Sequence, residues 1–234
     1  MKQIAVVSGK GGTGKTTLSA SLSYLFENPV MSDCDVDASN LHLLLSPIEI
    51  IESYEYYGGK KANINYEKCT NCGICKNKCR FDAIDFKEGK YVINEYACEG
   101  CKLCVITCPE KAISLTENLA GNYYKSKCSN GILVHGDLKP GEETSGGLVA
   151  EVRKKSYSEA EKSKKDVIII DGAPGVGCPA TSSVAGVSLS IVVTEPTLSG
   201  FHDLKRMIDT LKKMRVKFAV VINKFDLNES VSSK

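Results

Sequence analysis

The sequence lacks several features that would identify common classes of protein. No apolar run approaches the roughly 20 residues that a membrane-spanning helix needs, so we expect no membrane segment. Neither sign of charge is in large excess, since 30 Lys and Arg face 28 Asp and Glu, and this balance gives no reason to expect nucleic acid as a partner. The chain opens directly on an apolar strand, so we expect no signal peptide. These absences predict a cytoplasmic globular protein.

Cysteine, by contrast, is abundant, with 11 in 234 residues. In a reducing compartment this favours metal ligands over disulfides. Eight cysteines form two runs of the spacing C-x-x-C-x-x-C-x-x-x-C, at residues 69–79 and 98–108. This is the spacing of bacterial ferredoxins, in which the fourth cysteine of a run ligates the cluster of the other run. It predicts two [4Fe–4S] clusters, the first held by Cys69, Cys72, Cys75 and Cys108 and the second by Cys98, Cys101, Cys104 and Cys79.

The two cysteine runs belong to an internal repeat. INYEKCTNCGICKNKCRFDAI matches INEYACEGCKLCVITCPEKAI at an offset of 29 residues. Such a duplicated unit is too small to have a core without its metal. We therefore predict an inserted ferredoxin domain at 60–116, interrupting a second domain formed by 1–59 and 117–234. Two zinc sites are the competing interpretation of the C-x-x-C pairs, and one departure from the ferredoxin pattern is that Arg80, not proline, follows Cys79.

Outside the insert, short apolar runs alternate with segments of helical periodicity. This alternation predicts an α/β fold with a doubly wound, mostly parallel sheet. The predicted strands are 3–8, 29–32, 131–135, 166–170, 189–193 and 218–222, and the predicted helices are 16–26, 147–165 and 198–214.

A glycine-rich segment between the first strand and the first helix contains the P-loop pattern G-x-x-x-x-G-K-T. In such loops backbone N–H groups surround phosphate, the lysine reaches the β/γ oxygens and the threonine hydroxyl binds Mg²⁺. Asp171 ends an apolar strand, where a ligand of the Mg²⁺ water shell is expected. The pattern predicts nucleotide binding by Gly9, Lys10, Gly11, Gly12, Thr13, Gly14, Lys15, Thr16 and Thr17 and Mg²⁺ binding by Thr16 and Asp171.

The second lysine of the loop, Lys10, makes it resemble the deviant K-G-G-x-G-K-T loop of the MinD/ParA superfamily of P-loop ATPases. The resemblance implies ATP hydrolysis within a nucleotide-sandwich dimer, formed with a second copy or a paralogue, in which Lys10 reaches the partner's phosphates. It also implies that Asp35 positions the attacking water and that Asp33 supports the metal shell. The catalytic residues that it implies are therefore Lys10, Lys15 and Asp35.

The segment Asn223-Lys224-Phe225-Asp226 follows the last predicted strand. The N-K-x-D pattern binds guanine in Ras-like GTPases, whereas the equivalent asparagine of the MinD-like group contacts adenine. Lys10 favours ATP, with Asn223 as the base contact, and Asp226 leaves GTP open. Relatives carry a further strand and helices after this region, and MinD keeps its membrane-targeting helix there. The resemblance therefore carries no membrane binding over to these 234 residues.

Three cysteines lie outside the runs. Cys34 and Cys128 are expected to be buried packing residues. Cys178 follows Asp171 by seven residues, the offset of a cluster-ligating cysteine in the nitrogenase iron protein, a relative in this superfamily. A second cysteine completes that bridging cluster, and the LKPGEETSGG segment has none. Three roles stay open for Cys178: ligand of a bridging cluster, reactive thiolate at a helix N-terminus, or plain packing.

These features lead to three functional hypotheses. The first is an enzyme in which MgATP-driven dimer changes control electron transfer from the clusters to a partner protein. The second is a carrier that holds or delivers an iron–sulfur cluster or a metal, as Mrp-type relatives do, with Cys178 as the transfer ligand. The third is a positioning ATPase whose clusters sense redox state, which neither a basic patch nor an amphipathic tail supports.

Overall fold

The computed structural model describes residues 1–142 and 145–233. These residues form two compact units. The first, the nucleotide-binding unit, consists of Met1–Glu55, Gly121–Leu138 and the described chain from Ser145 onward. The second, the cysteine unit, consists of Tyr56–Ala120 and the described part of 139–144.

An eight-stranded sheet forms the centre of the nucleotide-binding unit, in the order β12-β11-β1-β10-β2-β9-β8-β3. Its strands are β1 (Lys2–Val7), β2 (Val30–Asp33), β3 (Glu49–Tyr57), β8 (Leu119–Cys128), β9 (Gly131–Leu138), β10 (Val167–Asp171), β11 (Leu189–Thr194) and β12 (Phe218–Ile222). All pairings from β12 to β9 are parallel, and β8 runs antiparallel to β9. Strands β2 and β10 and the second half of β1 are almost completely buried, as expected of parallel strands covered on both faces.

Helices connect and cover the strands. They are α1 (Lys15–Ser23), α2 (Leu41–Leu44), α5 (Ser145–Lys162), α6 (Cys178–Val184), α7 (Leu198–Lys213) and α8 (Glu229–Ser232), with a short 3₁₀ turn at Phe225–Leu227. The long helices α5 and α7 present Leu148, Val149, Val152, Met207 and Leu211 to the core. No helix of the described residues is long and apolar enough to cross a bilayer.

The predicted fold class is confirmed, with one addition. The sequence reading did not identify β3 and β8, which extend the sheet beyond β9. The edge strand β3 alternates between exposed and half-buried positions, and β8 contains Gly121 and three polar residues from Lys125 to Lys127. Both strands therefore lack the apolar run that identified the six parallel strands.

The cysteine unit consists of two antiparallel strand pairs and two short helices. Strands β4 (Lys61–Ile64) and β7 (Ile113–Thr116) pair with each other, and β5 (Ile84–Lys87) pairs with β6 (Lys90–Ile93), both antiparallel. The helices are α3 (Ile74–Lys78) and α4 (Leu103–Thr107). The 29-residue repeat relates β4 to β6, α3 to α4 and β5 to β7, so each antiparallel pair contains one strand from the first half and one from the second.

The cysteine unit is larger than the 60–116 segment suggested by the repeat. It begins at Tyr56 and ends at Ala120, and it includes residues that follow β9. The reason lies in two backbone hydrogen bonds at its base, Gly58 N–H to Asn118 O at 3.0 Å and Lys139 N–H to Ala120 O at 2.8 Å. These bonds join the flanking segments to the repeat.

Candidate nucleotide site and cysteine-lined cavities

The P-loop residues predicted from the sequence lie between β1 and the first turn of α1. Neighbouring β1 and β10 are in parallel register, Val6 opposite Asp171, so the loop after β1 and the carboxylate at the end of β10 lie at the same edge of the sheet. Lys15, at the start of α1, is 5% exposed. Gly14 has a left-handed φ of 94°, and the Asn223 amide lies where a β-carbon would project, so this position requires glycine.

Asp171 is fully buried and only partly satisfied. Its Oδ1 accepts a hydrogen bond of 2.8 Å from Ser19 Oγ, whereas its buried Oδ2 has no hydrogen-bond partner. Burial raises the pKa of Asp171, and the hydroxyls of Thr16 and Ser19 and the charge of Lys15 oppose that rise. An unpartnered buried carboxylate oxygen is costly. The Mg²⁺ ion of a nucleotide, or one of its waters, is the type of partner that would satisfy it.

Asp33 lies beside Asp171, opposite it in the parallel register of β2 and β10. Both of its oxygens are occupied by protein donors, because Oδ1 accepts from Asp35 N–H at 3.1 Å and Oδ2 accepts from Ser39 Oγ at 2.8 Å and Leu41 N–H at 3.1 Å. Burial, with the charge of Asp171, raises the pKa of Asp33 to about 7. In this arrangement Asp33 fixes the loop that carries Asp35 rather than offering an open oxygen to a metal.

Asp35 is half-buried at the start of that loop, and Asp37 is exposed. Burial raises the pKa of Asp35, the positive charge of Lys15 lowers it, and Asp37 adds to the rise. Asp35 is therefore close enough to Lys15 for their charges to interact, in the region where the phosphates of a nucleotide would lie. A carboxylate at this point is well placed to orient a water molecule.

Lys10 is held by groups of its own chain. Its Nζ lies 2.6 Å from Glu195 Oε1 and donates to Ser199 Oγ at 3.2 Å. Glu195 Oε2 lies 3.0 Å from Lys224 Nζ, which also donates to the Gly12 carbonyl at 3.1 Å. The two lysines hold the pKa of Glu195 below its usual range, Lys10 contributing most.

The sequence reading missed Glu195 and Ser199, although a signal was present. Glu195 is an acidic residue directly after the buried strand β11, much as Asp171 is an acidic residue at the end of β10. Ser199 lies in the first turn of α7, where Thr197 caps the helix by accepting from Gly200 N–H at 2.9 Å.

Asn223 also contacts the P-loop. Its Nδ2 donates to the Thr13 carbonyl at 2.9 Å, and its own N–H bonds to Thr194 O at 2.8 Å. Two consecutive residues after β12, Asn223 and Lys224, thus hold two consecutive P-loop carbonyls, Thr13 and Gly12. Holding these carbonyls favours a loop conformation whose N–H groups are free for phosphate. Asp226 lies exposed in the turn that follows.

The eight cysteines of the two runs line two separate cavities of the cysteine unit. Each cavity is lined by three cysteines of one run and the last cysteine of the other run. The first contains Cys69, Cys72, Cys75 and Cys108, and the second contains Cys79, Cys98, Cys101 and Cys104. These are the two predicted ligand sets.

The surroundings of the cysteines fit iron–sulfur clusters. Apolar side chains close each cavity, Ile64 and Ile113 in the first and Ile84 and Ile93 in the second. Backbone donors face the sulfurs, with Ala112 N–H to Cys108 Sγ at 3.3 Å and Ala62 N–H to Cys98 Sγ at 3.4 Å. Four thiols around one apolar cavity, with N–H···S bonds, are the environment that a [4Fe–4S] cluster requires.

A single metal ion fits the same thiols less well. Among residues 1–142 and 145–233, no group of three or more His, Cys, Asp or Glu side chains is close enough to hold one ion. A cubane cluster separates its cysteines further than one zinc ion does, which agrees with the lack of such a group in this part of the chain. Burial raises the pKa of Cys75 and Cys104, so binding at these thiols would release protons.

The other three cysteines lie in the nucleotide-binding unit. Cys34 is fully buried, and burial raises the pKa of its thiol to about 12. Cys128 is also buried, at the end of β8. Cys178 is exposed, at the first residue of α6, and Gly146 of α5 packs so closely that a β-carbon there would lie 3.1 Å from Cys178 Cβ.

Comparison with known proteins identifies the family. The pattern of the CobQ/CobB/MinD/ParA nucleotide binding domain matches residues 4–233. The chain belongs to this family. It is 39% identical to the uncharacterised protein MJ0578 of Methanocaldococcus jannaschii over 97% of its own length and 79% of that protein, and 32% identical to MJ0579 of the same organism over 98% and 82%.

Two further proteins resemble this chain, one over almost its whole length and the other over about a quarter of it. The MinD protein of Pyrococcus horikoshii, solved with Mg-ADP, superposes with a TM-score of 0.53 at 22% identity, covering 97% of this chain and 72% of that one, and so shares its fold. The uncharacterised ferredoxin MJ0265 of M. jannaschii is 42% identical over 65 residues, which is 27% of this chain and 37% of that protein. The family assignment made from the P-loop is confirmed. The chain is a MinD/ParA-like nucleotide-binding protein with an inserted ferredoxin-like segment.

Proposed function

We propose that this protein is a MgATP-dependent, dimer-forming ATPase whose nucleotide cycle controls electron transfer from two [4Fe–4S] clusters to a partner protein in the cytoplasm. One observation carries the proposal. Two cavities, each lined by three cysteines of one run and one of the other, occur in the same chain as a P-loop with an unsatisfied Asp171 oxygen. Hydrolysis and electron transfer would then be coupled in one polypeptide.

In the nucleotide site, the N–H groups of Gly9–Thr17 and the ammonium of Lys15 bind the phosphates. Thr16 and the free Oδ2 of Asp171 hold Mg²⁺ and its water shell, while Asp33 keeps the following loop in place. Asp35 orients the attacking water. Electrostatic stabilisation of the phosphoryl charge supplies most of the rate enhancement in such sites.

The dimer completes this site. Lys10 is bound to Glu195 and Ser199 of its own chain. We infer that it leaves these partners and neutralises the phosphates of a second copy or a paralogue. The exposed side chains of Leu198 and Phe201, in the first turn of α7 beside Ser199, supply apolar area for such an interface. The family's two M. jannaschii members support the paralogue alternative.

In the cysteine unit, Cys69, Cys72, Cys75 and Cys108 would hold one cluster and Cys79, Cys98, Cys101 and Cys104 the other. Such clusters supply one-electron transfer at low potential. Cys72 and Cys101 are exposed, so each cluster would have one ligand at the surface, where a redox partner can approach.

The test is anaerobic reconstitution, followed by iron and sulfide analysis and an EPR-monitored redox titration. The titration is repeated with and without MgATP or a non-hydrolysable analogue. We expect eight iron atoms per chain and a nucleotide-dependent change in midpoint potential or line shape. Lys15→Ala serves as the control, because it should abolish the nucleotide effect and keep the iron. Identical titrations with and without nucleotide would contradict the coupling.

A carrier of clusters or metal is the second candidate function, and the exposure of Cys178 at the start of α6 favours it. Its thiol follows the loop after Asp171, where nucleotide state acts. Cys178→Ser separates the two functions. A carrier would lose transfer of iron to an apo-acceptor, whereas an electron donor would keep its rate of electron transfer.

A further inference from the structure

A short segment after β9 belongs to the cysteine unit. It starts at Lys139, whose N–H bonds to Ala120 O at 2.8 Å, and turns so that Glu142 N–H bonds to Lys139 O at 3.2 Å. We refer to Lys139–Glu142 as the strap. The chain that follows the strap enters α5, a helix of the nucleotide-binding unit, at Ser145. The strap itself is part of the cysteine unit.

The side chain of Glu142 connects the strap to two other segments of the cysteine unit. Its Oε2 accepts from Asn118 Nδ2 at 2.9 Å and lies 3.8 Å from Lys61 Nζ. The side chains of Lys61 and Glu142 are only 18% and 10% exposed, so solvent screens this pair weakly. The neighbouring pair Lys60–Glu117 joins similar groups at 2.5 Å but is 52% and 59% exposed. The two pairs offer a matched comparison.

The contacts of the strap lie beside one of the two cysteine-lined cavities, the one that contains Cys98. Lys61 begins β4, and the next residue, Ala62, donates its N–H to Cys98 Sγ at 3.4 Å. The ring of Tyr96, two residues before Cys98, lies on Gly141 of the strap and occupies the space where a side chain would project; Gly141 has a left-handed φ of 83°. The strap thus contacts both segments that place Cys98.

We propose that Glu142 is a positioning residue that holds β4 against Cys98. Through it the strap adjusts the reduction potential of the cluster that Cys79, Cys98, Cys101 and Cys104 would hold. This inference rests on the proposed function and adds a residue that acts on one of the two clusters. The contacts run from Glu142 to Lys61 and, through the next residue of β4, from the Ala62 N–H to Cys98 Sγ.

The expected direction follows from the charge of the sulfurs. A reduced cluster carries more negative charge than an oxidised one, so an N–H···S bond favours the reduced state and raises the potential. Loosening the strap weakens the bond from Ala62 and lowers the potential of this cluster. The other cavity has a separate donor, Ala112, which bonds to Cys108 Sγ from a different segment. The second cluster of the same chain is therefore an internal control.

The test compares Glu142→Asp with Glu117→Asp in the reconstituted chain. Both substitutions keep the charge and shorten the side chain by one methylene, but only the first removes the reach from the strap to Lys61 and Asn118. The readouts are the two midpoint potentials by EPR, with and without a non-hydrolysable ATP analogue, and amide hydrogen exchange of 60–64. We expect one lowered potential and exchange faster by about fivefold, as for loss of one hydrogen bond. Glu117→Asp should match the parent chain.

Unchanged potentials and unchanged exchange in Glu142→Asp would overturn the inference and leave the proposed function intact. So would equal shifts of both clusters, because they would indicate a general loosening. If Glu142→Asp takes up less iron, Glu142→Gln against Glu117→Gln repeats the comparison, since glutamine can still accept from Asn118. A parent chain without iron, or with no nucleotide effect on either potential, instead overturns the proposed function itself.

Discussion

Glu195 binds two lysines at once, Lys10 through Oε1 at 2.6 Å and Lys224 through Oε2 at 3.0 Å. Lys224 in turn holds the Gly12 carbonyl of the P-loop. One carboxylate therefore connects the lysine that identifies the family with the turn after β12. The contact keeps Lys10 inside its own chain, and in the proposed dimer Lys10 would first have to leave Glu195.

Removing this carboxylate should favour the dimer. Glu195→Gln keeps the size of the side chain but weakens its hold on Lys10. Because partly exposed ion pairs contribute about 0.5–1 kcal/mol, we expect a two- to fivefold lower dimer dissociation constant with a non-hydrolysable ATP analogue. Sedimentation velocity measures it. Glu229→Gln, in the exposed helix α8, is the control, and a weaker Glu195→Gln dimer would show that Glu195 binds Lys10 across the interface instead.

The Ser19–Asp171 bond should matter for Mg²⁺. Ser19→Ala removes the 2.8 Å bond to Asp171 Oδ1 and leaves the carboxylate with the Thr16 hydroxyl, so we expect a loss of about 1–2 kcal/mol in the free energy of unfolding. The Mg²⁺ concentration that supports half-maximal ATP hydrolysis should also change. Ser23→Ala, also buried in α1 but with its hydroxyl bonded to Ala20 O at 2.7 Å, should leave the Mg²⁺ dependence unchanged. Equal Mg²⁺ curves for both variants would argue against a metal at Asp171.

Asn223 should control nucleotide affinity. Asn223→Ala removes the bond to the Thr13 carbonyl and any contact with the base, and we expect about tenfold weaker nucleotide binding. Calorimetry with ATP and GTP measures the effect and also tests the choice of base. Asp226→Asn serves as the companion variant: if it weakens GTP binding selectively and GTP is preferred in the parent chain, the assignment to ATP is wrong.

A pH dependence is expected from His135. This side chain of β9 is buried beside His42 and Tyr124, with its Nε2 3.1 Å from Ser126 Oγ. Burial, followed by the neighbouring His42, lowers its pKa to about 4. The unfolded chain binds a proton at about pH 6.5, so the folded state loses stability as pH falls from about 6.5 towards 4, by on the order of 2 kcal/mol.

Urea unfolding at pH 7.5 and 5.0 of the parent chain and of His135→Gln measures this slope. The difference between the two proteins should shrink at the lower pH, because glutamine binds no proton. Comparing the two proteins cancels any acid loss of clusters that they share. A difference that stays constant with pH would place the acid-sensitive group elsewhere.

Removing the metal should destabilise the cysteine unit and leave the nucleotide-binding unit folded. The repeat has a small core in which Ile64, Ile84 and Ile113 pack around the cysteines, and such units depend on their metal for stability. A chelator under anaerobic conditions should expose the amides of 60–116 to hydrogen exchange while those of β1 and β10 stay protected. Loss of protection in both units would show that the sheet also depends on the clusters.

The sequence revealed those parts of the site whose residues are close along the chain. The P-loop and the cysteine runs are local patterns in which spacing alone fixes geometry, and Asp171 is identified by its strand. The pairing of Cys79 with the second run and Cys108 with the first also follows from a known spacing rule. The fold class follows from six strands, because the apolar run of each can be recognised in the sequence without knowing which strands lie beside it.

Contacts between distant segments could not be predicted in this way. The Lys10–Glu195–Lys224 group combines residues from three connections of the sheet, and nothing local specifies it. Glu142 lies in a polar loop sequence that shows no periodicity, and its role depends on Asn118 and Lys61. Strands β3 and β8 have no apolar run of their own, and they are defined by their pairing at the edge of the sheet. Asp33 illustrates the same point, because its position predicts that it supports the metal shell, while the three donors that its oxygens accept from lie in the next loop and could not be predicted.

The base of the cysteine unit is closed by the bond from Gly58 N–H to Asn118 O. Its entry and exit therefore lie next to each other, between the neighbouring strands β3 and β8. The insert of some sixty residues therefore takes the place of a turn between two neighbouring strands of the sheet. Replacing residues 59–117 by a two-residue turn should therefore shorten the connection between β3 and β8 without changing the order of the strands.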